Sequence, residues 1–197
     1  MKLRAFTRHA LMFALAAFLL TETSRSFSAT MPGAAIVPLV QSSNIGVNGF
    51  FATDKAQRGR TVQAAVVLDI PQGYHVNGNR PLGKYAIPTT VQIDAPRGVR
   101  TSAVTFPRAV VRTLKFSQGE RLAVFEGRAV MRFQITLPSD FQQGVTELRA
   151  KVRFQACTDE VCYPPTTREV RMPIGVVGAN DPVQRINTRI FGGGRRR

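Results

Sequence analysis

The sequence predicts an all-β protein, an immunoglobulin-like antiparallel β-sandwich, on three observations. Short runs rich in Val, Ile, Thr and Phe recur at a spacing of roughly 8–12 residues, each closed by Gly, Pro or Asn. Two of these runs alternate strictly between apolar and polar residues, the period of a half-buried strand. No segment carries the apolar spacing of an amphipathic helix. A small barrel meets the same conditions and stands as the alternative.

The 197-residue chain opens with an address rather than a strand. Lys2, Arg4, Arg8 and His9 precede an apolar run from Ala10 to Leu20. That run is too short for a bilayer span, which takes about 20 residues, and has the form of a secretory signal. Ser26-Phe27-Ser28 offers the small residues a signal peptidase reads, so residues 1–28 are expected to be a cleaved signal peptide. Export to a bacterial periplasm follows, a compartment in which paired cysteines persist as a disulfide. No later stretch is long and apolar enough for a membrane span, so the mature protein is expected to be soluble. Residues 29–47 are aperiodic and are expected to be a flexible lead-in, with an edge strand at 35–40.

The regular pattern begins at Arg60. Residues 61–70 are β-rich and stop at Pro71-Gln72-Gly73, a turn signal. Tyr74-His75-Val76 is a short strand, broken by Asn77-Gly78-Asn79-Arg80-Pro81, whose Asn and Gly tolerate left-handed backbone. A strand at 89–93 is closed by Pro96 and Gly98, and a weaker one at 99–106 ends at Pro107. Residues 108–118 have no clean period and are expected to form a loop or irregular strand. Strands at 122–126 and 128–137 follow, parted by Gly127. In the second, Met131, Phe133, Ile135 and Leu137 alternate with Val130, Arg132, Gln134 and Thr136. At 146–155, Leu148, Ala150, Val152 and Phe154 face one way, and Glu147, Arg149, Lys151, Arg153 and Gln155 the other. The last strand covers 168–174. The β domain thus spans 48–174, and residues 175–197, polar and ending in three arginines, are expected to be a disordered basic tail.

The formal charge is +15, of which +3 lies in the signal (four basic residues, one acidic). The remaining basic residues are scattered through strands, as at Arg128, Arg132, Arg149, Lys151 and Arg153, where they fit solvent faces. An exported chain with no binding motif is not expected to take nucleic acid as a partner.

Function rests on Gln155-Ala156-Cys157-Thr158-Asp159-Glu160-Val161-Cys162-Tyr163-Pro164-Pro165, which holds the only two cysteines in the chain. Cys157 ends a strand and Thr158 to Val161 can form a turn, so Cys157 and Cys162 would face each other across a hairpin neck, within reach of a disulfide. A structural bridge and a cycling one both fit. A loop this short gains only about 2 kcal/mol from closure, and an accessible bridge at a strand end is a labile one. No cofactor or metal is expected. Two thiolates need further soft or imidazole ligands, and the chain after the signal has only His75 and methionines that form no cluster. His75 reads as a packed strand residue rather than a base, and Asp159 and Glu160 as turn residues. Near a sulfur, those two carboxylates would raise its pKa.

Three blocks give the chain a family resemblance: Gly73-Tyr74-His75-Val76-Asn77-Gly78-Asn79-Arg80-Pro81 with Ile87-Pro88-Thr89; Phe125-Glu126-Gly127; and Phe154-Gln155-Ala156-Cys157 through Cys162-Tyr163-Pro164-Pro165. They resemble the N-terminal, disulfide bond corrector domain of the thiol:disulfide interchange protein DsbD, over about Asn48 to Ile174. The resemblance implies an immunoglobulin-like fold and a thiol:disulfide oxidoreductase component. It implies a thioredoxin-like electron donor and disulfide-containing periplasmic acceptor proteins. It makes Cys162 the exchanging sulfur and Cys157 the resolving one. It also implies a cap loop carrying an aromatic residue, by position Phe106 to Phe116. Because the resemblance covers a single domain, electrons are expected to come from separate proteins. The alternative is a non-enzymatic binding or adaptor domain whose disulfide only clips a hairpin.

Overall fold

A computed structural model describes residues 44–192. The expected signal peptide, the expected edge strand at 35–40 and the terminal arginines lie outside the described residues. In chain order the strands are β1 (Gly46–Phe51), β2 (Lys55–Gln57), β3 (Thr61–Asp69), β4 (His75–Asn77), β5 (Thr90–Asp94), β6 (Arg100–Thr101), β7 (Val110–Thr113), β8 (Arg121–Phe125), β9 (Arg128–Thr136), β10 (Gly144–Phe154), β11 (Ala156–Cys157) and β12 (Thr166–Val177). A 3-10 turn at Lys115–Ser117 and a short helix α1 (Thr188–Phe191) complete the described residues.

The strands form three four-stranded sheets, in the orders β1-β3-β9-β6, β2-β12-β10-β5 and β11-β4-β8-β7. All pairings are antiparallel except β12 with β2. The first two sheets enclose the main core, and the fold is an all-β, immunoglobulin-like sandwich. The alternation expected in β9 and β10 is what fills it. Leu148, Ala150, Val152 and Phe154 are fully buried, and Met131, Phe133 and Ile135 are at most 3% exposed. Burying each of the larger of these side chains contributes about 1.5–3 kcal/mol. The interleaved Arg149, Lys151 and Arg153 are exposed.

The sequence reading found about eight strands, and the structure differs from it in identifiable places. β1 was not expected, because Gly-Val-Asn-Gly-Phe-Phe has low strand propensity. Gly49 belongs there for packing: a Cβ at that position would lie 2.5 Å from Cγ of Met172 on β12. Residues 108–118 resolve into β7 and the 3-10 turn. The weak strand at 99–106 is reduced to β6 and a single bridge, Thr105 to Arg132.

The expected disordered tail is corrected over residues 175–192. β12 continues to Val177, and the chain then returns along β1 and β2. Asp54 accepts from the Gln184 N–H at 2.8 Å, and Asn187 Nδ2 donates to the Phe51 carbonyl at 2.9 Å. Ile190 is buried against Ala65 and Val67, with Phe50, Val130 and Phe191 around it. The cause lies in β3, whose Ala64 to Leu68 is apolar on both faces. The face turned away from the main core needs a cover, and the Ile190-Phe191 pair supplies it. Among the described residues no helix is long and apolar enough to cross a membrane.

Candidate functional site

The third sheet carries the cysteine pair. β10 ends at Phe154, and Gln155 breaks the strand before β11 pairs with β4, placing Ala156 opposite Val76 and Cys157 opposite His75. Thr158 N–H donates to the Val161 carbonyl at 2.8 Å, and Thr158 Oγ1 accepts from the Val161 N–H at 3.2 Å. This closes a tight turn. Tyr163 N–H then donates to the Ala156 carbonyl at 2.9 Å. Cys157 and Cys162 face each other across the neck and are joined, with Sγ–Sγ 1.98 Å and Cα–Cα 3.9 Å.

The two sulfur-bearing residues differ in exposure. Cys157 is 0% exposed, packed with Leu114, Leu122 and Val124. Cys162 is half-buried and lies in the wall of a cleft of about 490 Å³, which Asn77, Tyr85, Phe116, Glu120 and Leu122 also line. Gln155 fastens the cleft floor. Its Oε1 accepts from Asn77 Nδ2 at 2.9 Å and from the Ile87 N–H at 3.2 Å, and its Nε2 donates to the Tyr163 carbonyl at 3.2 Å.

Of the two expected cap aromatics, the structure brings one to the disulfide. Phe116, in the 3-10 turn, packs on the cluster that holds Cys157 and Cys162, and its N–H donates to the Asp159 carbonyl at 3.2 Å. Phe106 does not join it. The bridge from Thr105 to Arg132 ties that part of the chain to the first sheet, and Phe106 stacks on Phe125 at 6.5 Å, against the main core.

A charged network, not expected from the sequence, flanks the pair. His75 Nδ1 lies 2.9 Å from Glu126 Oε1, and His75 Nε2 lies 3.1 Å from Asp159 Oδ1. Arg112 on β7 grips both Glu126 oxygens at 2.8 Å. That hydrogen-bonded guanidinium holds the Glu126 carboxyl below its ordinary pKa, against the opposing effect of burial, with His75 adding to the lowering. Lys115 pairs with Glu160 at 3.2 Å. Of the two acidic turn residues between the cysteines, Glu160 is thus matched by a cation, which tempers the repulsion it would exert on a thiolate, while Asp159 is held by its contact with the His75 ring. His75 is a strand residue as expected, but its ring bridges two carboxylates. Its partners are 51 and 84 residues away, a distance no local pattern spans. Tyr163, stacked on Tyr74 at 6.3 Å, has its phenol pushed above the ordinary pKa by burial and by Tyr74. Among the described residues no group of three or more His, Cys, Asp or Glu is placed to hold a metal.

Comparison with solved structures finds weak overall likeness. The N-terminal domain of DsbD from Neisseria meningitidis, in the reduced form, is 16% identical with a TM-score of 0.40, covering 71% of this chain and 88% of that one. The N-terminal periplasmic domain of ScsB from Proteus mirabilis is 11% identical with a TM-score of 0.46, covering 75% of this chain and 49% of that one. No curated protein matches. The sequence family is decisive: the family "Thiol:disulfide interchange protein DsbD, N-terminal" matches residues 48–173, nearly two thirds of the chain and all three of its characteristic blocks. The chain belongs to the DsbD N-terminal domain family.

Proposed function

We propose that the protein is an exported thiol–disulfide exchange module of the periplasm. It takes electrons from a thioredoxin-like donor and reduces disulfides in other periplasmic proteins through Cys157 and Cys162. The observation that carries this reading is the unequal exposure of the two cysteines at one end of the sandwich: Cys157 is sealed and Cys162 borders a cleft. An exchange pair needs one sulfur that a partner can reach and one that resolves the mixed disulfide from within.

The donor's thiolate attacks Sγ of Cys162, breaking the Cys157–Cys162 bond and releasing Cys157 as a thiolate that takes up a proton. The donor's second thiolate resolves that mixed disulfide, leaving a disulfide on the donor and two thiols here. In the reducing half-reaction Cys162 loses its proton and attacks an acceptor disulfide. One acceptor sulfur bonds to Cys162, and the other leaves as a thiolate and is protonated. Cys157 then attacks Cys162 Sγ, restoring the internal bond and freeing the acceptor's second thiol. Two electrons and two protons pass per cycle. Phe116 serves as the cap that limits access to Cys162.

Equilibration of the pair in thiol redox buffers, with alkylation and mass readout, tests the proposal. The expected reduction potential falls within the range of exchange proteins, about −120 to −270 mV. A value below about −300 mV marks a structural bridge and leaves the adaptor reading in its place. In parallel, Cys157→Ser should trap a mixed disulfide on Cys162, whereas Cys162→Ser should trap none and lose transfer.

A further inference from the structure

Exchange chemistry at Cys162 leaves one feature of the adjoining cleft unused. Asn77 is 1% exposed and lines the cleft, and among the described residues no group donates to its buried Oδ1. Every other polar group of this residue is engaged. Its Nδ2 donates to Gln155 Oε1, its N–H donates to the Gln155 carbonyl at 3.1 Å, and its carbonyl accepts from Thr89 Oγ1 at 2.5 Å. Turning the amide round does not relieve Oδ1. Gln155 presents an oxygen to Asn77, fixed that way because the same oxygen takes the Ile87 N–H and Gln155 Nε2 is held by the Tyr163 carbonyl. A buried acceptor without a donor is costly, and a ligand that brings an N–H recovers that cost.

Resting on the exchange reading, we propose that this cleft seats the peptide flanking a partner's reacting cysteine. A backbone N–H of that segment donates to Asn77 Oδ1, and an apolar side chain beside the cysteine packs on Phe116 and Leu122. A backbone amide is the donor the wall selects. It is neutral, so it enters beside Phe116 and Leu122 without the desolvation cost of an ammonium group. It also lies within a residue of any cysteine that Cys162 can reach. Asn77 Oδ1 is sealed in the closed cleft, so the contact requires the cleft wall to part as the segment enters. Asn77 is thus a positioning residue: it fixes the register of the partner chain against Cys162 and favours peptide disulfides over small ones.

The test uses the reduced protein and the disulfide dimer of an acetylated, amidated pentapeptide, Gly-Leu-Cys-Leu-Gly. Forms N-methylated at each amide next to the cysteine, and hydroxyethyl disulfide, are run beside it. Each protein's peptide rates are divided by its own rate with hydroxyethyl disulfide. In the unaltered protein, methylation at one position should slow exchange by about tenfold, the loss of one buried hydrogen bond. In Asn77→Ala the same methylation should leave the normalised rate unchanged. Equal slowing in both proteins, or none in the unaltered one, overturns the assignment while leaving exchange intact. Failure to react with hydroxyethyl disulfide as well removes the exchange reading and this inference with it. Should Asn77→Ala not fold, the Cys157→Ser protein trapped as a mixed disulfide with the peptide decides the matter. One amide beside the peptide cysteine should exchange hydrogen at least about tenfold more slowly than in the free peptide, and equal rates overturn the proposal.

Discussion

The sandwich core and the disulfide end are both shielded from water, but by different means. The core is a continuous apolar layer built by β3, β9, β10 and β12, with Phe154, Leu148 and Met131 fully enclosed. The disulfide end has a small cluster of Leu114, Leu122, Val124 and Cys157, and its position depends on side-chain hydrogen bonds from Gln155, His75 and Glu126. The difference separates what must stay fixed from what must open. A core held by apolar packing resists local opening, whereas a site fastened by polar contacts around a short turn can admit a partner at low cost.

The largest expected effect tests that contrast directly. Phe154→Ala, in the main core, should cost about 3–5 kcal/mol in urea unfolding. Leu122→Ala, 6% exposed on the cleft side, should cost about 2 kcal/mol, the low end for such a truncation. Equal losses would mean that the two clusters form one cooperative unit and that the disulfide end is no softer than the core. Next in size is reduction of the Cys157–Cys162 bond, whose partners are five residues apart. The loop it closes is so short that reduction should lower unfolding stability by about 2 kcal/mol. A much larger loss would make the bridge a structural staple of the whole domain.

These differences in construction also explain what the sequence made legible. β9 and β10 were readable because burial on one face imposes a two-residue period, and Met131 to Leu137 and Leu148 to Phe154 keep it without exception. β1 was not, since Gly49 is there to let Met172 close in rather than to favour a strand. Beyond Val177 the C-terminal segment looked polar because, among its described residues, Ile190 alone is buried, with Phe191 packed beside it, yet the unbroken apolar run at Ala64 to Leu68 already required a second cover for β3. At the site, Cys157, Cys162 and the turn between them were legible from local spacing. The partners of His75, the free oxygen of Asn77 and the separation of Phe106 from Phe116 were not. Each depends on which strands the third sheet brings together, a pairing that local pattern does not encode.

A smaller effect separates the charged network from the apolar cluster. Glu126→Gln removes the carboxylate that Arg112 and His75 share. Because the Arg112 and Glu126 side chains are 48% and 28% exposed, screening limits the expected loss to about 0.5–1 kcal/mol at neutral pH. The sign with pH follows from the direction of the shift. A carboxyl held below its ordinary value of 4.5 in the fold contributes stability above that value, and the contribution is lost as pH falls through the folded pKa. Urea midpoints for the unaltered protein should therefore decline more steeply than those of Glu126→Gln as pH is lowered below 4.5. Parallel acid limbs would show that this pair adds nothing to the disulfide end.

The smallest stability change, and the sharpest test of how the site is tuned, is Asp159→Asn. The Asp159 side chain is 54% exposed, so its link to His75 should contribute less than about 0.5 kcal/mol, and urea unfolding should scarcely register its loss. Its effect on the sulfur should be visible all the same. The substitution removes a negative charge from the turn that joins the cysteines, and the loss of that charge favours a thiolate nearby. In the reduced protein, the pH profile of Cys162 alkylation should move to lower pH in Asp159→Asn. An unmoved profile would mean that Asp159 only braces the turn. A profile displaced to higher pH would mean that its hold on His75 was favouring the thiolate, and that the polar fastening of this end and its chemistry are one device.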